Sequence, residues 1–599
     1  MCGIAGQYCF KGSPDKDLII KMSEILKHRG PDADGTYFDG IVGLSHRRLS
    51  IIDLSDNANQ PMLNDAGTIV LIYNGEIYNY IELKSELMEL GHKFRTASDT
   101  EVIIHAYEQW GIDCLEKFNG MWAFALYDKT KGQLFLTRDR FGIKPLYYSM
   151  IDNSIIFASE IKALLVHPEI GKTPNRSMIN DFLIMGRSDH TIPTMFSGVL
   201  QIPPSNCLIV SERETHMFRY SNIKVSSDIE CDYLPDAIVI PNIKILLKRA
   251  IRRHLRSDVP VGTCLSGGID SSTIVKLIDT DKQKTFSAIF SDERFSENEY
   301  LKHIISHSNV SASFVTPTSY DLIKDIDKLI YIQDEPFGSL SIYAQYRVME
   351  LAKGKVKVLL DGQGADELFA GYLAYQQVYI KDLIGRNKFG KALMELVGSI
   401  YQHSDFYLYA IKQVIIRKKR KGLLLINYED DRYTGGLNKV LYNELFHTNL
   451  PSLLRFEDRN SMAFSIESRV PYLDTDLSEY VMSLPYNQKI RNGISKFSLR
   501  EAVYGIIPNK IRTRRDKMGF VTPEEVWMKG ELKDYILNIM ESESFKSRIF
   551  WYAHKTRLDY MDFLSGKTNY SPEIWRIICV ELWMRKFFDG RTTLYSEKS

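Results

Sequence analysis

The pattern of apolar and polar positions changes character about a third of the way along the chain. Before residue 210, short apolar runs bounded by turn residues dominate. Residues 68–73 (TIVLIY), 121–127 (MWAFALY), 133–137 and 154–158 read as strands. Residues 80–90 and 100–110 place apolar side chains three and four apart and read as amphipathic helices. Strand runs with few helices predict a layered α+β domain, not alternating βαβ units. From 242 to 256 the period is helical. Ile243, Leu246, Leu247, Ala250, Ile251 and Leu255 form one face, and Lys248, Arg249, Arg252, Arg253 and Arg256 form a basic face that reads as solvated. Residues 219–241, with a Ser-Ser-Asp run and two prolines, lie between these regimes. The expected division is a first domain at 1–210, a linker at 211–240 and a second domain at 241–599.

The length, 599 residues, exceeds one ordinary core and agrees with two domains. Apolar content of 44% and charged content of 25% belong to a water-soluble globular chain. The formal net charge of +1 favours neither nucleic acid nor membrane partners. No run approaches the ~20 apolar residues that span a bilayer, and the N-terminus has no secretory pattern. The cysteines (Cys2, Cys9, Cys114, Cys207, Cys231, Cys264 and Cys579) show neither Cys-x-x-Cys nor metal-ligand spacing, which predicts a reduced, cytoplasmic protein.

Cys2 carries the first chemical signal. Once Met1 is removed, Cys2 bears both a thiol and a free α-amine whose ordinary pKa is roughly 8, able to act as base for its own sulfur. Amide hydrolysis by a thiol also needs preset oxyanion donors, and Asn74 and Gly75 offer a side-chain amide and an unshielded backbone N–H. A free amino acid substrate needs opposite charges: Arg48 can clamp an α-carboxylate, and Glu76 and Asp99 can receive an α-ammonium. Taken singly, these clusters read as turns or caps, with Asp99 a candidate helix N-cap.

The segments MCGIAG, HRGPD, RLSIID, NGEIYN, SDTE and RDRFGIKPLYY occur in this order. Together, residues 1 to about 200 resemble a class II glutamine amidotransferase domain of the N-terminal-nucleophile hydrolase fold, a layered sandwich. The resemblance implies that Cys2 attacks the glutamine side-chain amide and releases ammonia. It also implies that Arg48, Leu49, Ser50, Ile51, Ile52, Asn74, Gly75, Glu76 and Asp99 bind the glutamine.

In the second half, 261–272 (VGTCLSGGIDSS) runs from an apolar strand through a Gly-rich loop into a helix, a natural anion cradle. It is not a Walker loop. SGGIDSS resembles the pyrophosphate loop of the ATP pyrophosphatases, which implies an α/β domain with a parallel sheet and cleavage of ATP to AMP and pyrophosphate. On that resemblance Leu265, Ser266, Gly267, Gly268, Asp270, Ser271, Ser272 and Ala288 lie at the nucleotide. Asp270 and Asp366 are candidate Mg²⁺ ligands, hard oxygen donors suited to that ion. Asp361 and Gly362, in the DGQGADELFAGY run, are further candidates for ATP, and Lys496 is a candidate cation for the developing pyrophosphate.

These runs, with 459–474 and 493–500, resemble the synthetase domain of glutamine-hydrolysing asparagine synthetases, and with the first half the resemblance covers nearly the whole chain. It implies ATP and Mg²⁺ as cofactors. The implied substrates are glutamine, ATP and aspartate or another carboxylate, such as a sugar acid or peptide. No nucleic acid or membrane partner is implied, and a homodimer is left open. Ammonia must cross between the sites unprotonated, which predicts an enclosed apolar passage. Residues 373–455 and the C-terminal end match no motif, and the basic runs 417–421 and 512–517 read as surface.

One departure bears on the chemistry. The family's loop often carries Glu or Asp where this chain has Gln363, and Gln cannot accept a proton. Either ammonia needs no base, Glu367 helps, or the acceptor is not aspartate. A non-catalytic descendant would not need to keep both Cys2 and SGGIDSS.

Overall fold

The computed structural model describes residues 1–151, 153–225, 234–278, 280, 282–295, 297–403, 435–515 and 522–589. The first half builds twelve strands: β1 (Gly3–Cys9), β2 (Ala33–Asp39), β3 (Val42–Arg48), β4 (Met62–Leu63), β5 (Ile69–Ile77), β6 (Gly120–Asp128), β7 (Gln133–Arg138), β8 (Tyr147–Ile151), β9 (Ser154–Ala158), β10 (Leu200–Gln201), β11 (Asn206–Val210) and β12 (Thr215–Arg219). They form two antiparallel six-stranded sheets, ordered β10-β8-β9-β1-β3-β2 and β12-β11-β7-β6-β5-β4. Ile4, Tyr8 and Leu44 of one sheet meet Val70, Ile72 and Leu136 of the other in a dry core. Helices Lys16–Ile25 and Arg176–Met185 cover the first sheet, and Tyr80–Glu89 and Asp99–Trp110 cover the second. The result is the helix–sheet–sheet–helix sandwich that the resemblance implies.

The strands expected at 68–73, 121–127, 133–137 and 154–158 all form. β5 runs further than its apolar run, so Asn74, Gly75 and Glu76 lie inside a strand, not after it. β1 and β3 give no alternating signal because every residue of each is buried. Ser98, not Asp99, caps the helix Asp99–Trp110, its side chain accepting from the Thr100 N–H. The stretch 211–240 holds β12 and the start of a helix, Asp236–His254. Pro241 sits inside that helix, so 236–241 is not irregular.

The second half builds a parallel sheet of β13 (Val261–Cys264), β14 (Gln283–Ala288), β15 (Val310–Val315), β16 (Val358–Leu360) and β17 (Glu467–Arg469), ordered β15-β14-β13-β16-β17. Strand order reverses between β13 and β16, and in such sheets ligands bind beyond the carboxyl ends at the reversal.

The two halves share their cores. Leu49, Ile51 and Phe141 pack with Ile243, Leu247 and Leu265, and Phe182 and Phe196 pack with Trp575 and Trp583. The basic helix face is not simply solvated: Arg253 pairs with Asp474 and Asp476, and Arg256 grips Glu82 through two 2.6 Å bonds. Of the unplaced stretch 373–455, the described parts include helices Leu373–Gly385, Phe389–Gln402 and Leu437–Asn443. The basic run 417–421 lies outside the described residues. Among the described residues, no helix is long and apolar enough to cross a membrane.

Candidate active sites

Cys2 immediately precedes β1 and is buried, and burial raises its thiol pKa. Its N–H donates to Asn74 Oδ1 at 2.8 Å. That bond fixes the amide's orientation, because only the oxygen can accept. Asn74 Nδ2 is then a buried donor without a partner among the described residues.

Gly75 sits opposite Trp122 on β6, whose N–H and C=O are both engaged with Asp139. The Gly75 N–H therefore points away from β6. On that edge the Tyr73 N–H bonds Gln60 Oε1 at 2.6 Å and the Ile77 N–H bonds Asp99 Oδ2 at 2.9 Å. The Gly75 N–H lies between them, facing the cleft. A Cβ at Gly75 would come within 2.1 Å of Met121 O, so the close approach of β6 demands glycine.

Cys2, Arg48, Leu49, Ile51, Ile52, Gly75, Glu76 and Asp99 all line one cleft, together with Met1, Gln60 and Tyr73. Ser50 does not line it; its N–H is held by Asp32. The Arg48 guanidinium donates to Ser55 O and Asn59 Oδ1, both at 2.8 Å, and to Asp53 O. Of its five N–H donors, Nε–H and one Nη2–H are left for a carboxylate. Glu76 Oε2 is buried without a hydrogen-bond partner among the described residues, and burial with the nearby Glu467 raises its carboxyl well above the usual range. Burial pushes Asp99 up to about 6, against bonds from Ile77 and Tyr73 that lower it. The cleft thus holds two carboxyl groups suited to an ammonium.

At the sheet reversal, the loops after β13 and β16 border a cavity of about 190 Å³. Ser266, Gly268, Asp270, Ser271, Asp361, Gly362, Gln363 and Asp366 line it. Gly267 has φ +79°, and a Cβ there would press the Leu301 N at 2.9 Å. Gly268 caps the helix Ile269–Leu277, whose amides face this space. Leu265, Gly267, Ser272, Ala288 and Lys496 are not on the cavity wall; Leu265, Ser272 and Lys496 are buried. Lys496 Nζ stands 2.6 Å from Asp270 and 2.8 Å from Asp366, so the two candidate metal ligands and the candidate phosphate cation form one cluster. Two carboxylates converging on one cationic position fit a divalent ion of hard character. Glu367 is off the wall: its Oε1 accepts from Tyr372 at 3.0 Å and from Asn449 at 2.7 Å.

Residues 1–221 match the family described as "Glutamine amidotransferase domain", and residues 242–585 match the family described as "Asparagine synthase". The chain is 30% identical to asparagine synthetase [glutamine-hydrolyzing] 1 of Bacillus subtilis, over 97% of this chain and 96% of that protein. It belongs to the glutamine-hydrolysing asparagine synthetase family. It is 36% identical to a putative asparagine synthetase [glutamine-hydrolyzing] 2 of Methanocaldococcus jannaschii, over 72% of this chain and 86% of that one. A second Bacillus subtilis protein, asparagine synthetase [glutamine-hydrolyzing] 3, is 31% identical over 86% of each.

Within this asparagine synthetase fold, several residues that the motif reading passed over join the two sites. Arg29 is fully buried; it donates to Cys2 O at 2.9 Å and grips Asp458 with bonds of 2.8 and 2.9 Å. Asp258 receives the Asp53 N–H at 2.8 Å and donates its own N–H to Ile51 O at 2.9 Å, so the second half holds the Arg48 loop. Strand β17 touches both sites because its side chains alternate. Glu467 pairs with the Met1 ammonium at 3.0 Å and Arg469 with Glu76 at 3.3 Å, while Ser468 donates the other way, to Glu457. This connecting segment is buried and charged. Its local pattern, Glu-Ser-Arg, gave no sign of burial; its place beside β16 does.

Proposed function

We propose that the chain is a glutamine-dependent asparagine synthetase that couples two chemistries through β17. With Met1 removed, Cys2 attacks the side-chain amide of glutamine, whose α-ammonium lies against Glu76 and Asp99 and whose α-carboxylate meets Arg48. Asn74 Nδ2 and the Gly75 N–H hold the oxyanion. Collapse releases ammonia and leaves a thioester that water hydrolyses to glutamate. In the second half, the aspartate side-chain carboxylate attacks the α-phosphorus of ATP and expels pyrophosphate. Lys496 and the amides beginning at Ile269 stabilise the charge that develops there. Asp270 and Asp366 would hold Mg²⁺, which neutralises phosphate charge when bound. Ammonia then displaces AMP to give asparagine.

The observation that carries this reading is the juxtaposition at the sheet reversal: Ser266, Gly268, Asp270 and Ser271 of the SGGIDSS loop, Asp361, and Asp366, which shares Lys496 with Asp270, border one cavity, in the same chain as the Cys2 cleft. The division of labour follows the sandwich on one side and the parallel sheet on the other. Cysteines 2, 9, 114, 207, 264 and 579 are all unpaired and buried, which supports a reducing, cytoplasmic setting.

The test is an acceptor screen with pyrophosphate detection, supplying glutamine and ATP. Aspartate is expected to turn over far faster than sugar acids or peptides. Gln363 on the cavity wall is the observation that keeps another carboxylate as the second reading. Pyrophosphate release with such an acid and none with aspartate would establish that alternative.

A further inference from the structure

The family's loop carries an acid where this chain has Gln363, yet the cavity is not short of carboxyl groups. Asp361, two residues earlier, follows the carboxyl end of β16 and lines the cavity. It is 6% exposed. Its Oδ1 accepts the Gly362 N–H at 2.5 Å, and its Oδ2 is buried without a hydrogen-bond partner among the described residues. Behind it stands Glu457, 3% exposed, on the helix Leu450–Met462. Glu457 accepts from Ser468 Oγ and Gln345 Nε2, and its carboxyl also interacts with both Asp361 and Gln363. Two buried carboxyl groups in contact cannot both ionise cheaply, so such a pair holds one proton between them. Burial raises both; Asp361 raises Glu457 further, while the hydrogen bond with Glu457 works to lower Asp361, which places the shared proton on Glu457.

We propose that Asp361 and Glu457 act as a carboxyl pair that accepts the proton released when ammonia adds to the acyl-adenylate, replacing the acid missing at Gln363. Asp361 is the catalytic member, since it meets the cavity; Glu457 is the positioning residue. This rests on the asparagine synthetase reading. The ammonia lone pair forms the C–N bond as the carbonyl π pair moves to oxygen. The C=O bond then re-forms, and AMP departs with the pair of the broken C–O bond. One N–H proton passes from the added nitrogen to the ionised Asp361, so that with the proton already on Glu457 both carboxyls become neutral and a neutral amide is left. The pair returns the proton to water when the products leave.

Gln363 has a complementary part. Donating its NH₂ to Glu457 turns its carbonyl oxygen away from that carboxyl, free to accept an ammonia N–H and aim the lone pair. The arrangement also explains why the acid sits on a neighbouring helix: Ser468 of β17, between the two residues that face the Cys2 cleft, holds Glu457 in place.

The test separates adenylation from amide formation in the whole enzyme. Aspartate-dependent exchange of pyrophosphate into ATP reports the first; asparagine formed from ammonium salt reports both. In Glu457→Gln and in Asp361→Asn, the ratio of synthesis to exchange is expected to fall by about 10² or more, the usual scale of general-base catalysis. Hydroxylamine, a stronger nucleophile, should recover much of the loss. Adding Gln363→Glu to Glu457→Gln, which returns an acid to the family's position, should recover at least about tenfold. A ratio unchanged in both single variants, or synthesis and exchange falling in parallel without rescue by Gln363→Glu, overturns the proposal. Exchange by the unmodified enzyme, run with aspartate and with other acids, tests the parent reading separately: no exchange with aspartate would strike the choice of acceptor, whereas the synthesis-to-exchange ratio would still judge the pair with the acid that does exchange.

Discussion

The Cys2 cleft and the nucleotide cavity meet charged substrates in opposite ways. At the cleft, polar groups are buried without hydrogen-bond partners among the described residues: Glu76 Oε2 on the wall and Asn74 Nδ2 off it have none, and the Gly75 N–H faces inward. A buried unsatisfied group costs about 1–3 kcal/mol, so the cleft carries a cost that a bound glutamine relieves. In the cavity the charged groups are already paired, with Lys496 between Asp270 and Asp366. A triphosphate must exchange partners with that lysine instead of filling gaps. The first site is preformed for one ligand of fixed charge; the second is assembled by its ligands. This contrast suits a reaction in which the glutamine chemistry is simple and the ATP chemistry has several charged stages.

The largest expected effect tests whether the sites are separable at all. Cys2→Ala should lower glutamine-dependent asparagine formation by at least about 10⁴-fold, the scale of losing a nucleophile. Synthesis from ammonium salt should stay within about twofold, since Asn74 and Arg29 keep their backbone contacts. Loss of both activities would show the two regions to be one functional unit. Lys496→Met attacks the other region: pyrophosphate formation should fall by about 10³, with glutaminase activity retained, because removing a preset cation from a developing charge costs on that order. A glutaminase that failed with it would break the contrast.

Much of this arrangement could be read in the chain, and the exceptions have physical causes. The runs 68–73 and 121–127 announced β5 and β6 through bounded apolar blocks. The grouping of Gly75, Glu76 and Asp99 with Cys2 in one cleft was legible because a thiol acting on an amino acid amide calls for such groups. By contrast β3 ends in His46, Arg47 and Arg48, all buried, and a strand with polar residues buried on both faces looks like a loop. Glu457 was invisible for a different reason. It lies 94 positions from Gln363, and only the order of strands in the parallel sheet brings its helix to that loop. Its one sequence signal is an extra acid before Asp458-Arg459 in a chain that lacks an acid at 363.

Asn74→Ala sharpens the comparison within the cleft. Loss of one oxyanion donor should lower glutaminase kcat by about 10² while moving the glutamine KM by less than about threefold. An equal rise in KM would make Asn74 a binding group, not a donor reserved for the tetrahedral intermediate. Arg469→Lys probes the bridge between the regions. It keeps the charge but loses the planar fork that reaches Glu76, Glu467 and the His254 and Arg256 carbonyls. Glutamine consumed per asparagine formed should rise about fivefold, the low end of site-to-site coupling. A ratio that stays fixed would assign the coupling elsewhere.

The smallest effect concerns pH and the carboxyl groups of the cleft. Burial holds Asp99 up to about 6, above the ~3.9 of an unfolded Asp. The folded protein therefore binds more protons between these values, and the ionised side chain costs stability above them instead of adding it. A bound α-ammonium favours the carboxylate, so below the raised pKa glutamine must displace a proton to bind. Glu76, raised by burial and by Glu467, adds in the same direction. Glutamine affinity of the Cys2→Ala protein should thus fall by up to about tenfold per pH unit for each of the two carboxyls below its raised pKa. Titration calorimetry in two buffers of different ionisation heat would count the released proton directly. Asp99→Asn should bind more weakly at neutral pH and lose the part of the acid-side slope that Asp99 supplies. A wild-type cleft with level affinity and no proton release through that range would mean that neither carboxyl faces the ammonium, and the apparent readiness of the cleft would then belong to its oxyanion donors alone.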